Sequence, residues 1–168
     1  MEKEVFKKED ALKQLEKLVR RNNKNELKEF LFDSKNKYIL HDAVEENKQK
    51  LVDKILELAP HWIDRLSPTG YTILYTALGG KAKLVMIKTL LEVMPKLIHE
   101  SNKEGLTPIK FGEKHSFGGA KSEEEIIEMR KLLEDYEKKN IEVEAFTREE
   151  MEELGYYLYE HIDITTLG

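Results

Sequence analysis

The stretch Gly70-Tyr71-Thr72-Ile73-Leu74-Tyr75-Thr76-Ala77 decides the fold, because a similar pattern occurs once before it and once after it. Residues 38–44 read Tyr-Ile-Leu-His-Asp-Ala-Val and align with residues 72–78, Thr-Ile-Leu-Tyr-Thr-Ala-Leu, at an offset of 34. Residues 107–112, Thr-Pro-Ile-Lys-Phe-Gly, follow at a further offset of 35. An internal repeat of this length predicts stacked copies of one small structural unit.

The residues that follow each copy repeat as well, and their spacing is helical. Four apolar positions recur after 35 residues: Leu51, Val52, Ile55 and Leu56, then Met86, Ile87, Leu90 and Leu91. Pro60 and Pro95 follow these segments at the same offset. Each unit is therefore predicted to be a short helix, a longer helix and a turn, and Gly70 or Gly105 lies in the turn before the next helix.

This pattern resembles the ankyrin repeat, whose units are about 33 residues long and contain Gly-x-Thr-Pro-Leu-His-x-Ala. The resemblance covers about residues 36–138 and includes Lys37-Tyr38-Ile39-Leu40-His41-Asp42-Ala43 in the first unit and Gly105-Leu106-Thr107-Pro108-Ile109 in the third. The chain departs from the pattern at four places: Lys37-Tyr38 replaces the Gly-x-Thr opening, Ile73 replaces Pro, Gly112 replaces Ala, and extra residues surround Ser116–Ala120.

The resemblance implies an all-α fold, an ankyrin-like α-solenoid of stacked helical hairpins with an N-terminal helical cap and a C-terminal helix. We expect the cap at residues 1–35, about three degenerate repeats at 36–139, and an acidic C-terminal helix and tail at 140–168. One hairpin cannot bury its apolar face alone, so neighbouring units share a core and the end units are atypical.

Several polar residues of the repeats have predicted structural roles. Thr72 and Thr107 precede helices, where an N-cap hydroxyl accepts from the first backbone N–H groups. Ser122 and Glu125 form a predicted capping box, and the helix that they start is expected to end near Asn140. The resemblance implies that His41 is a structural histidine whose ring bonds neighbouring backbone.

The acidic excess of the chain is confined to its C-terminal quarter. The 168 residues include 28 Lys+Arg and 33 Asp+Glu, for a formal net charge of −5. Basic and acidic residues number 10 and 8 in residues 1–35, 13 and 10 in 36–121, and 5 and 15 in 122–168. Because phosphate binding needs clustered Lys and Arg, we expect no nucleic-acid partner.

Composition excludes further classes of protein. The chain has no Cys, which excludes disulfides, thiolate metal sites and a Cys nucleophile. It has no apolar run of about 18 residues, so we expect no membrane span. Residues 1–5 lack the apolar region of a secretory signal, so we expect a cytoplasmic protein. We also expect the protein to be monomeric by itself.

The sequence contains no recognisable catalytic or metal-binding motif. Gly118-Gly119-Ala120-Lys121-Ser122 lacks the Gly that a phosphate-binding loop needs directly before Lys. The five His residues do not occur at ligand spacing. We therefore predict a protein that is not an enzyme and has no metal or cofactor. Two alternatives stay open: a small enzyme with an unrecognised acidic site, and a purely structural adaptor.

The predicted function is binding of a protein partner on the concave face of the stack, which equivalent positions of successive units form. The candidate residues lie at the turn tips and the exposed ends of the first helices: Lys37, Glu45, Glu46, Leu66, Pro68, Thr69, Tyr71, Ser101, Lys103, Glu104, Leu106, Lys114 and His115. Tyr71 and Leu106 are the expected anchors. Phe117, a further candidate, is either packed onto the third unit or offered to a partner.

The C-terminal segment has a second predicted capping box, Thr147–Glu150, and a helix that either caps the last repeat or acts as a docking or export element. Its cluster of Glu149, Glu150, Glu152 and Glu153, followed by apolar and small residues at 164–168, resembles the translocation signal of type IV–secreted bacterial effectors. Small ankyrin proteins are common among such effectors. This resemblance implies a bacterial effector that is secreted into the host-cell cytoplasm.

Overall fold

The structure is a computed structural model that describes residues 2–119 and 121–143. In these ranges the chain forms α-helices, joined in part by short 3₁₀ helices, and it has no strand. The α-helices are α1 Glu2–Arg21, α2 Lys24–Phe32, α3 Ile39–Glu45, α4 Gln49–Leu58, α5 Ile73–Gly79, α6 Leu84–Val93, α7 Pro108–Lys114 and α8 Glu123–Val143. The 3₁₀ helices are Ser34–Asn36, Pro60–Asp64, Pro95–His99 and Ser116–Gly118.

The helices pack in chain order as three helical hairpins, α3–α4, α5–α6 and α7–α8. The first helices form one row, in which α5 contacts both α3 and α7, and α6 contacts α8. At the other end of the row, α1 packs against α2, α3 and α4. This arrangement confirms the predicted all-α fold of stacked, ankyrin-like hairpins.

One continuous apolar core runs through the stack. The repeated positions on the second helices are buried in both units, including Val52 and Ile87, each 0% exposed. Ala43 and Ala77, at equivalent positions of α3 and α5, are also fully buried. Each unit therefore obtains its core from its neighbours, as solenoid packing requires.

Four helix caps were predicted, and the one at Thr147 lies outside the described residues. The helix starts confirm two of the other three. The Thr107 hydroxyl accepts from the Lys110 N–H at 3.4 Å, and the Ser122 hydroxyl accepts from the Glu125 N–H at 3.2 Å. The prediction for Thr72 was wrong, because its buried Oγ1 makes no hydrogen bond although Thr72 directly precedes α5. The last helix, α8, continues to Val143, slightly beyond its predicted end near Asn140.

The extra residues of the third unit fold back onto it. Phe117 is only 1% exposed, and a Cβ atom at Gly112 would overlap its ring. Position 112 is equivalent to Ala43 and Ala77, so the Phe117 ring fills the space that an alanine methyl group occupies in the other units. The glycine at position 112 and the inserted loop, two departures from the ankyrin pattern, therefore depend on each other. Phe117 is packed onto the third unit rather than offered to a partner. Its place among the exposed candidate residues was wrong.

The inserted loop has an unusual backbone. Ser116 and Phe117 both have φ 51°, in the left-handed region, and Gly118 and Gly119 follow with φ 92° and 90°. A non-glycine residue costs about 1–2 kcal/mol in this region. Burying the Phe117 side chain contributes about 1.5–3 kcal/mol, which is enough to offset much of that cost.

We expect Gly112→Ala to lower the free energy of unfolding by about 1–3 kcal/mol, because the new methyl group overpacks against Phe117. Gly79→Ala is the matched control, since a Cβ atom there meets Phe111 at an ordinary 3.6 Å. That helical substitution should be neutral or stabilise by up to about 1 kcal/mol. Urea denaturation followed by circular dichroism measures both, and equal effects would contradict the coupling between Gly112 and Phe117.

Candidate functional site

Two turns at the edge of the stack have the same hydrogen bonds. In turn 67–71, the Gly70 N–H donates to the Ser67 carbonyl and the Ser67 N–H donates to the Tyr71 carbonyl, both at 2.8 Å. In turn 102–106, the equivalent bonds from Gly105 and Asn102 are both 3.0 Å long. Gly70 and Gly105 have φ 86° and 76°, a conformation that favours glycine. The repeat in the sequence therefore extends to the detailed geometry of both turns.

A side chain at the start of each turn adds further hydrogen bonds. The Ser67 hydroxyl accepts from the Tyr71 N–H at 3.0 Å. The Asn102 Oδ1 atom accepts from the N–H groups of Glu104 and Leu106, at 3.0 and 2.9 Å. Ser and Asn are typical turn residues because their side chains bond nearby backbone groups. Our sequence reasoning missed both residues, although they occur at the repeat offset of 35.

The first of these turns is tied to the preceding unit by His41, which is 4% exposed. Its Nε2 atom lies 2.6 Å from the Arg65 carbonyl oxygen, and its Nδ1 atom lies 2.8 Å from the Thr76 hydroxyl. Because a carbonyl only accepts, Nε2 carries the proton and Nδ1 accepts from Thr76. This confirms the predicted structural role of His41. Burial lowers the pKa of His41, and the bond to the Arg65 carbonyl partly opposes that shift.

The second turn is tied in the same way by a different residue. Tyr75 is the equivalent of His41, and its hydroxyl lies 2.6 Å from the Glu100 carbonyl and 2.7 Å from the Leu106 carbonyl. Glu100 is itself the equivalent of Arg65, at an offset of 35. Burial raises the pKa of Tyr75 to about 12, so the hydroxyl keeps its proton as a donor. An imidazole and a phenol thus make the same connection in successive units.

Arg65 is a third residue that sequence reasoning missed. Its guanidinium donates from Nη1 to the Lys37 carbonyl at 2.7 Å, across 28 residues of chain. The same group lies over the Trp62 ring, with its carbon 4.7 Å from the ring centroid. Arg65 therefore fixes Lys37, the first candidate residue, to the segment that leads into turn 67–71.

The structure places most of the candidate residues at the surface. The exposed ones are Lys37, Glu45, Leu66, Pro68, Thr69, Ser101, Lys103, Glu104, Lys114 and His115. Glu46, Tyr71 and Leu106 are half-buried, while Phe117 is buried as described above. The secretion-signal candidates Glu149, Glu150, Glu152 and Glu153 lie outside the described residues.

The anchor candidate Tyr71 belongs to an aromatic cluster. Its ring centroid lies 6.2 Å from those of both Tyr75 and Phe111. Phe111 contacts Tyr75 edge-on at 5.0 Å and the exposed His115 ring at 4.4 Å. Tyr71 is therefore held by ring contacts from the second and third units while part of its surface stays open to water.

The charged candidates form ion pairs. Lys114 Nζ lies 2.8 Å from Glu104 Oε2, which joins the end of α7 to turn 102–106. This hydrogen bond lowers the pKa of Glu104 and raises that of Lys114. Lys8 of α1 lies 2.7 Å from Glu45. Exposed pairs of this kind contribute little to stability because water screens them, so a partner can replace them at little cost.

Glu46 is the most highly connected of the acidic candidates. Its carboxylate lies 3.0 Å from Lys81 and 3.8 Å from Lys8, so it receives cations from the second unit and from α1. The hydrogen bond from Lys81 lowers the pKa of Glu46. Neither lysine was a candidate from the sequence, because both approach Glu46 from distant parts of the chain.

Within residues 2–119 and 121–143, no group of three or more His, Asp or Glu side chains could hold a metal ion. No helix in this described part of the chain is long and apolar enough to cross a membrane.

Two curated proteins are similar to this chain. A protein of Rickettsia bellii, named as an ankyrin repeat protein, is 41% identical over 141 residues, which are 82% of this chain and 57% of that protein. A protein of Rickettsia felis with the same name is 30% identical over 105 residues, which are 62% of this chain and 44% of that protein. The chain thus spans about half the length of these relatives. No protein-family model matches it, and no solved structure matches it at a significant level.

We expect acid to destabilise the fold in part through His41. Its pKa in the folded state lies below the ordinary 6.5, so the fold favours the neutral ring. Its contribution to stability is complete above pH 6.5 and is lost as the pH falls through the folded-state pKa. Urea midpoints at pH 7.5 and 5.5 should therefore differ more for the parent than for His41→Gln. Equal differences would contradict this role. Burial also lowers the pKa of His61, but that contribution is the same in both proteins and cancels when the two midpoint differences are compared.

Proposed function

Because this chain is homologous to ankyrin repeat proteins over most of its length, we propose that it is a protein-binding module without catalytic activity. It binds its partner through the turn surface, which we define as these residues of the two turns and their flanks: Leu66, Pro68, Thr69, Tyr71, Ser101, Lys103 and Leu106. The observation that carries the proposal is the pair of equivalent bonds from His41 and Tyr75, because they present both turns in the same way.

Rigid presentation favours binding because less conformational freedom is lost when the complex forms. Both turns are closed by backbone and side-chain hydrogen bonds and are tied to the core. Leu66 is 49% exposed although it directly follows Arg65, whose side chain is bonded in place. The turn surface therefore offers apolar area on a scaffold that is already ordered.

The composition of the turn surface also fits an interface with a protein. Tyr71 supplies an aromatic side chain that neighbouring rings hold in place, and such residues often dominate binding energy. Lys103 and Glu104 of turn 102–106, together with Lys114 of α7, supply charged groups, which are typical of the polar rim of an interface. We expect the apolar and aromatic residues to provide affinity and the charged residues to affect the rate of association.

A paired substitution tests this surface. Leu66→Ser combined with Lys103→Glu alters two exposed residues, one beside each turn. Val85→Ser combined with Lys88→Glu is the matched control, because both of those residues are exposed on α6, and Val85 is 63% exposed. Proteins captured by the parent from host-cell and bacterial lysates are identified first, and calorimetry then measures the affinity of each variant for them.

We expect the turn-surface variant to lose at least about tenfold in affinity, as hot-spot substitutions do, and the α6 variant to stay within about twofold. Equal affinities of the turn-surface variant and the parent would contradict the proposal that the partner binds through the turn surface. Thermal denaturation of both variants checks that they remain folded.

We also propose that the protein acts as a secreted effector on host proteins. Two observations support this: the glutamate cluster at 149–153 resembles a type IV translocation signal, and both curated relatives come from Rickettsia. In this setting the partner of the turn surface is a host protein. The acidic cluster and the turn surface would then have separate roles, export and binding.

A translocation reporter fused to the full chain tests the export signal. We expect combined Gln substitutions at Glu149, Glu150, Glu152 and Glu153 to reduce translocation at least about tenfold. The control carries four Gln substitutions at exposed glutamates elsewhere: Glu9, Glu26, Glu29 and Glu92. It should translocate like the parent. Equal translocation of all three fusions would exclude the cluster as a signal.

A further inference from the structure

The third unit differs from the first two on the face that meets the next unit. His41 of α3 reaches Thr76 in the second unit, and Tyr75 of α5 reaches Leu106 in the turn of the third. The equivalent residue of α7 is Lys110, which is exposed. The side chain that would connect this unit to a further turn is therefore a solvated cation.

A second position on the same helix face changes in the same way. Val44 and Leu78 are 0% exposed in the first two units, and they lie three residues after His41 and Tyr75. Residues three apart on a helix share a face. The third member of this series is Glu113, whose side chain is 49% exposed. The outer face of α7 thus carries two charges where α3 and α5 carry buried groups.

The second helix of the third unit carries charges beside those of α7. Met129 and Leu133 of α8 are buried, and the residues that directly follow them are the charged Arg130 and Glu134. The Arg130 side chain is 40% exposed, and Glu134 is exposed as well.

These charged residues also connect the two helices of the third unit. Arg130 Nε lies 3.3 Å from Glu113 Oε1, between α8 and α7. Arg130 also lies over the Phe117 ring, with its guanidinium carbon 5.9 Å from the centroid. These charged residues therefore form contacts within their own unit.

We propose that the third unit is the C-terminal cap of the stack. Its end face, defined as Lys110, Glu113, Arg130 and Glu134, stays in contact with water in the full chain. Covering it with another apolar hairpin would bury these charges, which is strongly unfavourable for each ion left unpaired. Terminal repeats of solenoids have such a polar outer face because no neighbour covers it.

This assignment separates the stack from the residues that follow it. The proposed binding surface accordingly lies on the three units of the described stack. The inference does not depend on the proposed partner binding, because it concerns only which face of the stack water can reach.

Thiol labelling of the full chain tests the end face directly, since the chain has no Cys of its own. Glu113→Cys and Glu134→Cys place a single thiol on the end face. Asp135→Cys is the exposed reference, because Asp135 is exposed on α8. Ala77→Cys is the buried reference, at 0% exposure. Circular dichroism confirms that each variant is folded before it reacts with a chromogenic disulfide reagent.

We expect both end-face thiols to react within about threefold of the Asp135→Cys rate. The Ala77→Cys thiol should react at least about 100-fold more slowly, because the reagent reaches it only when the core opens. If either end-face thiol reacts at a rate nearer the buried reference, residues after Val143 cover this face, and the proposal is wrong.

Discussion

The hydrogen bond from the first helix of one unit to the chain that enters the next turn is the contact on which the rest of this structure depends. A helical hairpin of this size buries too little apolar surface to fold alone, so each unit needs a neighbour in one defined register. Apolar contacts are non-directional and tolerate small shifts. The bonds from His41 to the Arg65 carbonyl and from Tyr75 to the Glu100 carbonyl do not, because a buried acceptor left without its donor costs about 1–3 kcal/mol. They therefore fix the register of the stack, and with it the position of both turns.

Much of this architecture was predictable because it is encoded locally. The apolar spacing of the second helices and the Ser122 cap follow from residues close together in sequence. The repeat offset follows from comparing successive segments, and the structural role of His41 was implied by the resemblance to the ankyrin repeat. Tyr75 was harder, since a phenol and an imidazole share no sequence signal even though they reach equivalent carbonyls, those of Glu100 and Arg65. The packing of Phe117 against Gly112 was not predictable, because it depends on how an inserted loop folds back. The same limit applies to Lys8 and Lys81, which reach Glu46 from distant segments.

The positions of the candidate site residues were predictable from the sequence, but their burial and their contacts were not. The sequence placed Tyr71 and Leu106 at turn tips, and the structure adds that both are half-buried and held by the units around them. This combination of order and partial exposure suits an anchor better than a fully exposed side chain does, because less freedom is lost on binding. The polar end face of the third unit marks where the repeated surface stops. Fold, turn geometry and termination of the stack thus all derive from residues at equivalent positions in the three units.

Hydrogen exchange of the turn amides in Tyr75→Phe tests this account most directly. The substitution removes only the hydroxyl that bonds the Glu100 and Leu106 carbonyls. Losing about 1 kcal/mol of local stability should speed exchange at Gly105 and Leu106 about five- to tenfold, with Gly70 and Tyr71 unchanged. Unchanged exchange at Gly105 and Leu106, or an equal increase at both turns, would contradict the claim that each turn is held by its own bond from the preceding unit.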